Sequence, residues 1–101
     1  MLEEVNGFDW DEGNSAKCWN RVSKEEIEYL FQQPDILIAP DIQHSENEDR
    51  YLAIGISSRE KYIFVAFTFR NKQDQILIRP ISARYMRDKE VQRYGQRFPK
   101  T

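Results

Sequence analysis

The residues of this chain whose types and spacing could do chemistry fall into two clusters. In HSENEDR, His44 is followed by Glu48 at +4 and Arg50 at +6. Imidazole is the side chain whose ordinary pKa lies near neutrality, so it suits proton transfer in either direction. Glu48 adds a possible base and Arg50 a cation. In IRPISARY, Arg79, Ser82, Arg84 and Tyr85 stand close together toward a strand end. The planar guanidinium fork pairs bidentately with phosphate oxygens, and a hydroxyl can donate beside it. Arg87, Arg93 and Arg97 follow as a basic series able to track a phosphate backbone. Each residue also has a plainer role. A loop histidine is commonly solvated, E-N-E-D is an ordinary acidic loop, and Ser82 can cap the next helix. Arg79 can lay its stem over the sheet, and Arg84 can pair with the acidic N-terminal half. Tyr85, Tyr94, Trp10 and Trp19 are possible stacking platforms for bases, whereas Trp10, Phe64, Phe67 and Phe69 are better explained as core.

The elements that must position these groups are legible in outline. Gly7 to Trp10 reads as a short strand broken by DEGN, and Asn14 to Asn20 as a short helix. Ser23 with Glu26 reads as a capping box opening a helix. Ile27, Leu30 and Phe31 share its buried face, and Pro34 stops it. DILIAP is a short apolar strand, and DIQHSENED a loop. Strands are expected at 50–57, with Leu52, Ile54 and Ile56 on one face and Tyr51, Ala53 and Gly55 on the other, then at 61–69 and 75–82. The segment 61–69 is apolar on both faces, as a central strand requires. RNKQD marks a hairpin. Pro80 makes the last strand either an edge or a bulged strand. Arg79 alternates there with Leu77 and Ile81. From Met86 to about Arg97 the pattern turns helical, with Val91 and Tyr94 inward and Arg93 and Arg97 one turn apart. The expected fold class is α+β: N-terminal helices, an antiparallel sheet of about four strands, and a C-terminal helix.

Composition narrows the function further. A length of 101 residues suits one compact domain, 1–101. The content, 40% hydrophobic and 32% charged, contains no apolar run of membrane-spanning length. MLEEVNGFDW lacks the regions of a signal peptide, which points to the cytoplasm. One cysteine and one histidine cannot build a disulfide framework or a zinc site, and no cofactor or metal is expected. The net charge of −2 conceals an asymmetry: residues 1–49 carry −10 and residues 50–101 carry +8. Either the two halves pair in space, or a basic face for phosphate lies beside an acidic face for a basic partner.

The runs FDWDEGN, HSENEDR-Y-LAIG, FVAFTFR and IRPISAR-YM, in this order and spacing, resemble the BrnT toxins over roughly residues 8 to 95. The resemblance implies a RelE-like fold and a ribonuclease that shuts down translation. It also implies neutralisation by a BrnA-like antitoxin with a ribbon-helix-helix part, through which alone the toxin would meet operator DNA. RNA cleavage without a metal needs a base for the ribose 2′-OH, an acid for the leaving 5′-oxygen, and cations around the phosphate. Carried onto this chain, the catalytic candidates are Arg79, Arg84, Arg50, His44 and Glu48. The RNA-binding candidates are Ser82, Tyr85, Arg87, Arg93 and Arg97. One stretch departs from the family. A Lys-His-Gly-Val-Ser run usually precedes the capped helix, but here the residues are Cys18-Trp19-Asn20-Arg21-Val22-Ser23, one residue short and without histidine. Three functions therefore stay open: an endoribonuclease toxin, a catalytically degenerate module that binds the antitoxin and modulates promoter repression, or a non-catalytic RNA-binding module.

Overall fold

Five strands and three α-helices emerge in the computed structural model, which describes residues 2–44 and 46–95. The strands are β1 (Gly7–Phe8), β2 (Leu37–Pro40), β3 (Tyr51–Ile56), β4 (Tyr62–Lys72) and β5 (Gln75–Tyr85). The helices are α1 (Glu12–Trp19), α2 (Lys24–Leu30) and α3 (Asp88–Gly95), with 3-10 turns at Leu2–Glu4 and Ile42–His44. The strands form one sheet in the order β1-β5-β4-β3-β2. The α+β class holds. The sheet has five strands rather than four and is mixed, because β1 joins β5 in parallel through Gly7↔Leu77 and Phe8↔Ile78. A two-residue strand is too short to show a period, and its partner lies far along the chain.

The antiparallel remainder follows the residue pattern. β3, β4 and β5 are consecutive neighbours. The β4–β5 turn is Gln73–Asp74, and both residues have positive φ, 51° and 64°. That two-residue geometry matches the right-handed twist of the flanking strands. Between the pairs Phe67↔Pro80 and Ala66↔Ser82, Ile81 is the extra residue of a bulge. Pro80 therefore marks a bulge in an interior strand, since β5 is flanked on both sides.

One sheet face is covered by α1 and α2. Cys18, Val22, Ile27, Leu30 and Phe31 meet Ala53, Ile63, Val65, Phe67, Ile78 and Ala83 in a single core. Burying each large side chain is worth roughly 1.5–3 kcal/mol. Gly55 sits under Leu30 so closely that a Cβ there would lie 2.6 Å from Leu30 Cδ1. The capping box at Ser23 is formed, with its Oγ accepting from the Glu26 amide and Glu26 accepting from the Ser23 amide, both at 3.3 Å. Glu26 also accepts from the hydroxyls of Tyr85 and Ser57, each at 2.8 Å. This buried carboxylate thereby ties α2 to β5 and to the β3–β4 connection. Burial works against its charge, but the bonds from Tyr85, Ser57 and Ser23 outweigh it and hold the pKa below the ordinary value. α1 begins two residues before its expected start, because Asp11 and Asn14 form a second capping box. α3 begins at Asp88 rather than Met86; its expected end near Arg97 lies outside the described residues.

Candidate functional site

The bulge at Ile81 decides which side chains share the open sheet face. In a regular strand Arg79 and Ser82 would point to opposite sides, as would Arg79 and Arg84. Here Arg79 pairs with Thr68, Ser82 with Ala66 and Arg84 with Phe64, so all three stand on the face away from α1 and α2. Arg79 thus no longer alternates regularly with Ile81. Asn14 holds this geometry in place. Its amide donates to the carbonyls of Asp9 and Pro80, both at 2.8 Å, and it is almost fully buried. One side chain therefore joins the start of α1, the end of β1 and the bulge.

The HSENEDR loop is brought to the same place. The Asp41 amide donates to the Arg50 carbonyl at 2.8 Å, closing the loop. Thr68 Oγ1 donates to the Asp49 carbonyl at 2.7 Å, pinning it to β4. The result is a depression of about 250 Å³ whose walls include Lys17, Glu48, Arg50, Arg70 and Arg79. It continues past Glu48 and Arg50 to His44 on one side. On the other it passes Lys17 to Arg21, Ser82 and Arg84.

Carboxylates divide these cations among themselves. Arg79 donates to Asp11 at 2.9 and 3.3 Å and to Asp9 at 3.2 Å. Lys72 donates to the other Asp9 oxygen at 3.0 Å. Arg70 donates to Glu48 at 2.6 Å, and Arg50 Nε stands 3.9 Å from that carboxylate. The hydrogen bond to Asp11 raises the Arg79 pKa still further and, reciprocally, lowers that of Asp11. His44 is largely exposed, with Nδ1 3.0 Å from Asp41. Among the described residues, Lys17 and Arg21 have no carboxylate partner.

Of the ten residues singled out from the sequence, Arg79, Arg50, Glu48 and His44 come together along the groove, with Ser82 and Arg84 at its far end. Arg84 pairs with Glu90 of α3 and not with the acidic N-terminal half. Tyr85 is not brought to this face: it points to the helix side, where its hydroxyl donates to Glu26. Arg87 and Arg93 are exposed on and before α3, and Arg97 lies outside the described residues. Sequence reading passed over Lys17, Arg70, Asp9 and Asp11. The hairpin register was the available signal for Arg70, because a two-residue turn places it on the same face as Arg79 and one step further along.

By fold and surface this is a small α+β protein whose open sheet face carries a groove rich in guanidinium groups and edged by a carboxylate and an imidazole. Among the described residues, no helix is long and apolar enough to cross a membrane. The model of the family described as the ribonuclease toxin BrnT of type II toxin–antitoxin systems matches residues 10–90. The chain belongs to that family, and such membership implies an antitoxin partner. No curated protein matches the chain.

Proposed function

We propose that this protein is a metal-independent endoribonuclease that inhibits translation. It is neutralised by a ribbon-helix-helix antitoxin, through which it is held at operator DNA. The observation that carries this reading is the convergence of Lys17, Arg50, Arg70 and Arg79 on one depression with Glu48 in its wall. The substrate phosphate sits among the cations, which stabilise charge gathering on its oxygens. Glu48 takes the proton of the ribose 2′-OH as that oxygen bonds to phosphorus. The P–O5′ bond breaks, and His44, in its protonated form, gives the leaving oxygen its proton. The products are a 2′,3′-cyclic phosphate and a 5′-hydroxyl.

The carboxylates are part of the cost. A phosphate entering the cleft must compete with Asp9 and Asp11 for Arg79, so ground-state binding is weakened where the developing dianion gains most. That same pairing favours the second reading, a module that binds its antitoxin without cutting RNA, as does the departure of Cys18–Ser23 from the family Lys-His-Gly-Val-Ser run. In the structure Cys18 and Val22 lie in the core and Arg21 at the groove. The test is cleavage of a defined RNA by purified, antitoxin-free protein in the presence of EDTA. Wild type is expected to cut, and Arg79→Ala and Glu48→Gln each to lose about 10²–10⁴ in rate. Intact RNA from folded wild-type protein would refute the nuclease and favour the module.

A further inference from the structure

Arg84, like Arg79 with Asp11, is held fork-to-fork by a carboxylate, but of these groove cations it is Arg84 that lies over an aromatic ring. Its two terminal nitrogens donate to the two oxygens of Glu90, at 2.8 and 2.9 Å. This fork-to-fork pair neutralises the charge and fills the N–H directions that a phosphate would use. The guanidinium carbon of Arg84 lies over the Phe64 ring, 4.4 Å from its centroid. Phe64 in turn meets Tyr94 edge-on, with centroids 5.7 Å apart. Yet the Arg84 side chain remains 36% exposed.

These three residues line a depression of about 370 Å³ with Leu52 and Ala66 beside them and Ser82 and Arg21 toward the cationic end. Its surroundings are apolar and aromatic, in contrast with the walls around Arg79. A flat, delocalised cation backed by a ring and clamped by a carboxylate offers a plane rather than a free charge. Unpaired bases of single-stranded RNA stack on aromatic rings and on such guanidinium planes. The depression shares Arg21, Ser82 and Ala83 with the middle of the groove, so a strand crossing the cations continues into it.

We propose that Arg84, held between Glu90 and Phe64, is a stacking platform for one unpaired nucleobase of the RNA. Tyr94 and Ser82 bound the same base pocket, and phosphate binding belongs to the Arg79 end of the groove. This rests on the RNA-cleaving reading and adds a base-recognition subsite to it.

The experiment uses fluorescence anisotropy with a ten-nucleotide 2′-O-methyl RNA, which cannot be cut because its nucleophile is blocked. It is compared with a series carrying one abasic ribose at each position in turn. For wild type, one abasic position is expected to weaken binding about 5- to 100-fold. In both Arg84→Ala and Arg84→Lys that penalty disappears, while the dependence of affinity on salt stays that of wild type. Arg79→Ala does the reverse, lowering the salt slope by about 0.7, the share of a single phosphate. Glu90→Gln, which loosens the clamp, is expected to weaken binding with an unchanged slope. The proposal is overturned if Arg84→Lys keeps full affinity and the abasic penalty. It is equally overturned if Arg84 variants flatten the salt slope as Arg79→Ala does, or if Glu90→Gln binds more tightly with a steeper slope. Failure of folded wild type to bind any of these RNAs would sink the RNA reading itself, and the subsite with it. Circular dichroism of each variant keeps loss of folding apart from loss of stacking.

Discussion

Replacing Asn14 tests the link between the bulge and the groove. Three hydrogen bonds depend on its side chain: donation to the Asp9 and Pro80 carbonyls and acceptance from the Asp11 amide, each at 2.8 Å. At about 1 kcal/mol net for each bond, Asn14→Ala should lose roughly 3 kcal/mol. For a chain of this size that corresponds to a fall of roughly 12–24 °C in melting temperature. Asn14→Asp is the sharper variant because it is nearly isosteric. It keeps an oxygen for the Asp11 amide but turns another toward two carbonyl oxygens, so the charged form is disfavoured and the new carboxyl's pKa is raised. The direction of the pH effect follows from that. A carboxyl raised in the folded state carries no charge penalty below its unfolded pKa of about 3.9, and the penalty grows as pH rises toward the folded value. Thermal melts of Asn14→Asp and wild type should therefore lie closest near pH 4 and diverge toward pH 7. A gap that stays constant over this range would refute the assignment of Asn14 as the donor to both carbonyls. So would Asn14→Ala melting within a few degrees of wild type.

Three more outcomes follow from individual side chains and turns. The hydrogen bond from Arg84, with that of the Arg87 amide, pulls the Glu90 carboxyl down to about 2. The pair thus stabilises the fold above the ordinary carboxylate pKa and is lost as pH falls toward 2. At this partly exposed site Glu90→Gln should cost about 1 kcal/mol at pH 7, and melts at pH 2 should show the difference vanishing. Burial raises the Cys18 thiol to about 11, so Ellman's reagent at pH 8 should leave native protein unlabelled and label it in denaturant; rapid native labelling would contradict the packing. Gln73 and Asp74 both hold left-handed backbone, and replacing them with Asn-Gly should raise stability by about 0.5–1 kcal/mol in urea unfolding.

What could be read from the residues was whatever is local. Ser23 and Glu26 lie three apart, so their capping box shows in the sequence. The second role of Glu26, accepting from Tyr85, spans 59 positions and leaves no pattern. The apolar run 61–69 marked the central strand, although only the face of Ile63, Val65 and Phe67 is buried under the helices, and Phe64 and Ala66 stand half-buried on the open face. Arg79, Arg84, Arg50, His44 and Glu48 stood out by residue type. Their grouping was hidden, because alternation along β5 is broken at Ile81 and only the pairing with β4 reveals the face each residue takes. Asp9 and Asp11 looked like ordinary acids of a negative N-terminal half. Their engagement with Arg79 required knowing that β1 lies beside β5. Tyr85 looked like a platform beside the arginines, but its alternation past the bulge turns it to the core side.

The parallel pairing of β1 with β5 also has a consequence in time. Asp9 and Arg79 are 70 positions apart, and at roughly 5–20 residues per second the ribosome makes the acid roughly 4–14 s before its arginine. The β3–β4–β5 meander closes through short connections. Docking β1 closes a long loop, whose length-dependent entropy cost is about 4 kcal/mol. The cationic groove is therefore finished after the sheet that carries it. Trp10 and Trp19, tilted against each other with centroids 5.1 Å apart in the N-terminal segment, report that closing step. In refolding, their fluorescence is expected to lag the far-ultraviolet signal of the meander, whereas coincident phases would show the two events to be one. A nascent chain consequently carries its negative half uncovered before any phosphate-binding surface exists.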